Sequence, residues 1–383
     1  MIPAPPGTSR VPIWIWGRTA PEGALAQLDR IATQPYVVGH VAAMPDLHVA
    51  HGVAVGTVFA TASVVVPSAL GGDLGCGVAA VRFDVPARGL AARDLHRVLS
   101  GWADRIPVGD AVHRGKGGAV PEQLLAAPLS TGSLEHARER LARRHLGTLG
   151  GGNHFVELDR DMSGGVWLLV HSGSRGLGSA VAAHHLKAAE AAGLGDIPGL
   201  PLDSDPGRAC LADIRWAIEF AAANREALLS AAAEVVEQIA GSPPDNARRI
   251  DVHHNFVDEE EHLGRKLWVH RKGAIAAPAG ARVLIPGSMG TASYVAEGLG
   301  EPTSFRSASH GAGRVMTRRE ARERISTDRL AHAMRRVVHD ERRAPALVEE
   351  APAAYRDIGE VLGDEEDLVR PVLRLEPLVV LKG

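Results

Sequence analysis

The chain has 383 residues, 45% of them hydrophobic and 23% charged, with a formal net charge of -3, which is ordinary for a soluble globular protein with a sizeable core. That balance excludes a whole-molecule basic field, so a polyanion would have to meet a local groove of Arg and Lys on an otherwise neutral surface. Two cysteines, Cys76 and Cys210, are too few for a disulfide framework, and neither a signal peptide nor an apolar run of membrane-spanning length is read, which predicts a cytoplasmic location with reduced thiols. Length alone allows two average domains or one large one.

In chain order, a proline-rich start leads into Val11 to Trp16, whose alternation predicts a strand, and Glu22 to Thr33 reads as a helix. Met44-Pro45-Asp46-Leu47-His48 follows. Pro45 bars a helix there, so Asp46 and His48 are expected in a loop. After strand-like residues up to Val66 comes Gly71-Gly72-Asp73-Leu74-Gly75-Cys76-Gly77, a glycine turn presenting a carboxylate and a thiol three residues apart. Those two groups suit one metal or a share in two; the plain alternative is a buried cysteine in a tight turn.

Val78 to Val85 is expected as a strand and Arg88 to Ile106 as mostly helical, followed by a basic loop through Gly118. Ser133 to Leu146 has helical periodicity, and Gly150-Gly151-Gly152-Asn153 delivers His154 onto the strand Phe155 to Leu158. The strand Val166 to Val170 ends at His171; Ser172 to Gly178 then opens a helix to Ala192 whose start, with Arg175, reads as an anion seat. A long helix runs from about Arg208 to Ala240 and places Cys210 in the core, and Gly241 to Asn246 reads as a polar break.

Strand Ile250 to Val252 enters His253-His254-Asn255, and a charged stretch spans Asp258 to His262. Strands Lys266 to His270 and Val283 to Ile285 each end in a backbone-exposing loop, Arg271-Lys272-Gly273-Ala274 and Pro286-Gly287-Ser288-Met289-Gly290. Ser309-His310-Gly311-Ala312-Gly313-Arg314, an Arg-rich helix from about Thr317 to Arg324, and a closing strand Leu375 to Leu381 beside Lys382 complete the pattern.

Asp, Cys and His together are a mixed hard and soft donor set compatible with Zn, Mn, Fe or Co, and two adjacent ions would clamp an attacked phosphorus. Glycine-rich loops with Arg175, Lys272 and Arg314 are material for phosphate-bearing ligands. His310 sits between small residues, well placed to be approached and to serve as a nucleophile toward phosphorus; otherwise it is a further ligand or a turn histidine.

The strings MPDLH, GGDLGCG, LGTLGGGNHFVE, HSGSRGLG, HHN, RKGA, IPGSMG, SHGAGRVM and LKG stand in the order found in the RtcB family of RNA ligases, which the chain resembles from about Met44 to Gly383. The resemblance implies an α+β fold, one mixed α/β domain around a deep central cleft, in place of the two domains that length allows. It implies a GTP- and Mn²⁺-dependent enzyme joining an RNA 3′-phosphate, or a 2′,3′-cyclic phosphate after opening, to a 5′-hydroxyl, in RNA repair or tRNA splicing. A monomer and a protein activator are expected with it. By the same resemblance Asp73, Cys76, His154, His171 and His254 are the ligands of two manganese ions, Cys76 bridging; His310 is the residue guanylylated by GTP, Asp46 is catalytic with it, and Asp46 and His48 are cleft residues near the metals. The nucleotide site comprises Asn153, His154, Phe155, Val156, Glu157, His254, Asn255, Pro286, Gly287, Ser288, Met289, Ser293, His310, Gly311, Ala312, Gly313 and Lys382. Glu157 and Lys382 suit the guanine edge, and Arg175 and Arg314 suit RNA phosphate.

Two positions depart from the family pattern, Ala50-His51 where Gly-Lys is common and Gly72 where an apolar residue is usual. Neither removes a ligand or the nucleophile; both bear on substrate preference. A two-metal phosphoesterase and a non-catalytic RNA-binding protein are the alternatives from other classes.

Overall fold

The computed structural model describes residues 2–3, 9–114, 117–192 and 194–383; the proline-rich start over 4–8 and residues 115–116 of the basic loop lie outside them. Helices and sheets are mixed, as the α+β expectation requires. Seven antiparallel strands form one sheet in the order Pro244–His253, Gly77–Pro86, Gly165–Ser172, Phe155–Asp161, Val369–Lys382, Ser293–Gly298 and Arg282–Ile285. A six-stranded sheet runs Ile2–Pro3, Ile13–Ile15, Val37–His48, Val55–Thr61, Arg265–Lys272 and Asn255–His262. Its one parallel pair, Ile13–Ile15 with Val37–His48, is joined by helix Glu22–Ala32, the crossover a parallel connection needs.

One rim of the seven-stranded sheet collects the residues of interest through its register. Phe155 and Val78 both face His171, Gly77 faces Ser172 and His253, and Lys382 faces Phe155. The chain leaves that sheet at His253 and enters the other at Asn255, so His254 marks the crossing. Its N–H donates to the Cys76 carbonyl at 2.8 Å, and Gly75 N–H donates to the Asn255 carbonyl at 2.8 Å. Both sheets therefore contribute walls to one place.

Helix Asp205–Ala240 backs this rim. Ser204 caps it by accepting from Gly207 N–H at 3.2 Å, and Gly241 ends it in the left-handed region at φ 72°. Ile214, Ala217, Ala221, Leu228 and Val236 are buried, each fully buried Leu or Ile contributing about 1.5–3 kcal/mol. Cys210 is buried among them, as expected. Among the described residues no helix is long and apolar enough to cross a membrane.

Four local readings change. Met44 to His48 is not a loop but the end of strand Val37–His48, with the register slipping between Ala43 and His48; a bulge tolerates the missing N–H of Pro45 where a regular ladder would not. The charged stretch Asp258 to His262 belongs to strand Asn255–His262, hairpin-paired to Arg265–Lys272 through Leu263 and Gly264, both at positive φ. That hairpin also takes Arg271 and Lys272 into the strand, and the polar break shortens because strand Pro244–His253 starts at Pro244.

Candidate active site

Cys76, His154 and His171 converge. The Cys76 sulfur lies 3.4 Å from His154 Nε2 and 3.3 Å from His171 Nε2, and Asp73 Oδ2 is 3.0 Å from His154 Nε2. His154 Nδ1 donates to the Leu149 carbonyl at 2.8 Å, which orients Nε2 toward the thiol and carboxylate. The His254 ring follows, 5.2 Å from His171, with a buried Nδ1 that has no hydrogen-bond partner. Converging electron-pair donors backed by an orphaned imidazole nitrogen fit a bound cation, and the thiol–imidazole–carboxylate set fits a divalent transition metal.

Electrostatics agree with that role. Burial, with His154 beside His171 and His310 beside His254, holds both imidazoles well below their ordinary range, so they are neutral and ligand-ready. Burial works against ionisation of Asp73, but bonding to His154 and Cys76 and the nearby Arg175 outweigh it and keep the carboxyl low. Burial and Asp73 push the Cys76 thiol up, which a cation would reverse.

The backbone sets this geometry. At Gly75, φ is 67° and a Cβ would come within 2.7 Å of Ile218 Cα; at Gly173 a Cβ would lie 2.3 Å from Asp73 Oδ1. The expected anion seat before helix Arg175–Ala192 exists, but its occupant is internal: Ser174 N–H and hydroxyl donate to Asp73 Oδ1 at 3.0 and 3.3 Å.

A cleft of about 280 Å³ opens beside the cluster. Asn153, Phe155, Glu157, Asn255, Pro286, Gly287, Ser288, Met289, Ser293, Gly311, Ala312, Gly313 and Lys382 all line it, with Asp73, Cys76, His48, His171, His254 and His310. His310 stands 4.8 Å from the His254 ring. Buried Asp46 lies beneath it: Oδ2 accepts the His310 backbone N–H at 3.1 Å and approaches Nδ1 at 2.5 Å. The Nδ1 approach is close but poorly directed for a hydrogen bond, so the backbone bond fixes position and the carboxylate acts on the ring mainly through charge. Lys382 is buried at the far end, its Nζ 2.8 Å from the Asn153 carbonyl, 3.6 Å from Glu350 and over the Phe155 ring. Burial and Asp159 push Glu157 well above the ordinary carboxylate range.

Two expected site residues stand outside the cleft, and a third lines it with its guanidinium already occupied. Val156 points to the opposite side of its strand, into the core under the sheet, as alternation with Phe155 and Glu157 demands. Arg175 packs behind the cluster against Thr148 and His154 and is not among the cleft-lining residues. Arg314 lines the cleft, but its guanidinium is spent on Glu350, Tyr355 and the Met316 and Glu349 carbonyls. Neither arginine offers a free fork to phosphate. Of the two departures, Gly72 is exposed with room for a side chain, and His51 is exposed; neither disturbs the cluster.

Glu350, Tyr355 and Arg318 line the cleft without having been singled out. A buried pair behind the cleft was not singled out either. Asn224 donates to the Thr148 and Gly173 carbonyls and the Ser172 hydroxyl and accepts from Gly147 N–H at 2.7 Å; Arg225 bonds Asp251, the Gly75 carbonyl and the Ser172 carbonyl. Two adjacent polar residues on an otherwise apolar helix face were the available signal. Asn224→Ala orphans a buried N–H and two carbonyls, so it is expected to lower unfolding free energy by about 2–4 kcal/mol in urea titration; a loss under about 0.5 kcal/mol, the range of an ordinary surface change, would mean that the loops hold themselves.

Fold and cleft together define a protein whose buried Cys76, His154 and His171 cluster could hold a metal ion and opens onto a histidine-lined pocket of about 280 Å³. The family model described as tRNA-splicing ligase RtcB matches residues 27–383. The chain is 34% identical to the RNA-splicing ligase RtcB of Escherichia coli (strain K12), with 98% of each chain covered. It is 32% identical to the RNA-splicing ligase RtcB of Mycobacterium tuberculosis (strain ATCC 25618 / H37Rv), covering 93% of this chain and 100% of that one. To RNA-splicing ligase RtcB2 of Escherichia coli (strain ATCC 25922) it is also 32% identical, with 94% and 92% covered. The chain belongs to the RtcB family.

Proposed function

We propose that this protein is a single-domain, GTP-dependent RNA ligase that joins a 3′-phosphate or 2′,3′-cyclic phosphate end to a 5′-hydroxyl, with His310 as the nucleophile. The observation that carries the reading is the placement of His310 in the cleft over buried Asp46 and beside His254. Asp46 favours the proton on Nδ1, which leaves the Nε2 lone pair for attack. A P–N bond forms to the α-phosphorus of GTP and the bond to pyrophosphate breaks. An oxygen of the RNA 3′-phosphate then takes the guanylate from His310, and attack by the 5′-hydroxyl on the RNA phosphorus expels GMP; a terminal phosphate is a poor electrophile without that leaving group. Asp73, Cys76, His154, His171 and His254 would hold two manganese ions, which would supply charge neutralisation at the attacked phosphorus.

Glu157, ionised against its burial with the help of the Lys382 charge, accepts from guanine N1–H and N2–H, and Lys382 donates to O6. Incubation with α-labelled GTP and Mn²⁺ tests the reading: a ligase forms an acid-labile, hydroxylamine-resistant protein adduct, whereas a two-metal phosphoesterase or a non-catalytic RNA-binding protein forms none. For the base edge, Lys382→Met keeps the bond from the Arg343 guanidinium to the Lys382 carbonyl and that from Gly383 N–H to the His154 carbonyl. Loss of a charge-assisted bond at a desolvated site costs about 1.5–3 kcal/mol, so GTP affinity falls about ten- to hundredfold and the preference over ATP narrows. Unchanged affinity and preference in calorimetry would remove Lys382 from the nucleotide contacts.

A further inference from the structure

A second groove lies on the other side of loop 286–292. Pro286 to Met289 line the catalytic cleft, whereas Gly290 to Ala292 line this groove. The loop is braced across its width by Ser288 N–H donating to Thr291 Oγ1 at 2.7 Å. The groove's floor is one face of three adjacent strands. Arg160 pairs with Glu376, Tyr294 pairs with Arg374, and Arg374 and Glu376 are two residues apart, so alternation puts all four side chains on the same face. Its wall is the C-terminal end of helix Thr327–Met334, carrying Arg335 and Arg336.

Charge is unbalanced here although the whole chain is near neutral. Glu376 is shared by Arg160 at 2.8 Å and Arg374 at 3.0 Å. The other lining carboxylate, Asp357, is occupied in capping Gly359 N–H at 2.7 Å. Arg335 bonds only His332, and among the described residues Arg336 has no ion-pair or hydrogen-bond partner. Four guanidiniums thus meet two carboxylates, with a half-buried tyrosine ring on the floor. Anchored arginines beside an aromatic face are what a single-stranded nucleic acid needs, phosphates on the cations and a base on the ring. Arg160 alternates with Glu157 and Tyr294 with Ser293, so the groove lies on the sheet face opposite the cleft, and the two meet around loop 286–292.

We propose that this groove binds the backbone of the single-stranded RNA next to the end being joined, with Arg335 and Arg336 as its phosphate contacts. The proposal rests on the ligase reading for the identity of the polyanion. It supplies the local basic surface that the near-neutral composition requires and that neither Arg175 nor Arg314 provides.

The test is fluorescence anisotropy of the full-length Arg335→Glu/Arg336→Glu protein with a short labelled single-stranded RNA ending in a 3′-phosphate, titrated at several salt concentrations. Removing two phosphate contacts is expected to weaken binding about tenfold or more and to reduce the slope of log affinity against log salt by about 1.4. Arg335→Lys/Arg336→Lys is expected to keep the slope, and guanylate labelling without RNA is expected to be unchanged in both. Unchanged affinity and slope in the Glu variant, or equal losses in the Lys variant, would overturn the proposal. Absence of any guanylate adduct in the unaltered protein would instead overturn the ligase reading, while the salt slope would still report on the groove.

Discussion

His310→Ala is expected to abolish guanylate labelling, a fall of about a thousandfold or more, because a nucleophile has no substitute in its own site. Metal content after dialysis is expected to stay near that of the unaltered protein. The donor atoms of Cys76, His154 and His171 all lie within 4.8 Å of one another, and His310 is not in that group. Its ring stands beside His254 instead, and Asp46 holds its position through the main chain, a contact that alanine keeps. A variant that loses metal yet still forms the adduct would make His310 a ligand and leave the attack to another residue.

Cys76→Ser is expected to show the reverse pattern. The substitution keeps the size of the side chain and exchanges an ionisable soft donor for a hydroxyl that stays protonated. Because Cys76 Sγ is within 3.4 Å of two imidazole nitrogens, the change strikes the centre of the cluster. Partners one shell further out typically cost ten- to a hundredfold in metal affinity, so loss of the ligand itself should cost about a hundredfold or more. Metal content, guanylylation and ligation should fall together. Full metal occupancy with full activity would return Cys76 to core packing.

The candidate site was legible in the sequence because the residues that converge there sit in short strings whose local conformation is set by their own glycines. Asp73 and Cys76 share one turn, and His154, His171 and His254 each flank or end a strand that periodicity marks, whereas the short strand Ser307–Ser309 before His310 was not read. The family resemblance then assigned roles to them. Strand alternation was equally legible, and applied strictly it would have turned Val156 toward the core. What local sequence does not carry is how a long side chain is spent. Arg175 and Arg314 sit in the right strings, yet only packing decided that one lies behind the cation cluster and the other is consumed by Glu350 and Tyr355. Nor does it carry alignment across the fold. Asn224 and Arg225 reach the glycine loops because a helix capped at Ser204 and ended at Gly241 crosses the sheet at that level, and Arg160, Arg374 and Tyr294 meet because three strands far apart in the chain are hydrogen-bonded in one register. Backbone conformation near a glycine is a local property; a charge's partner and a groove's floor depend on non-local strand pairing, which only the tertiary structure decides.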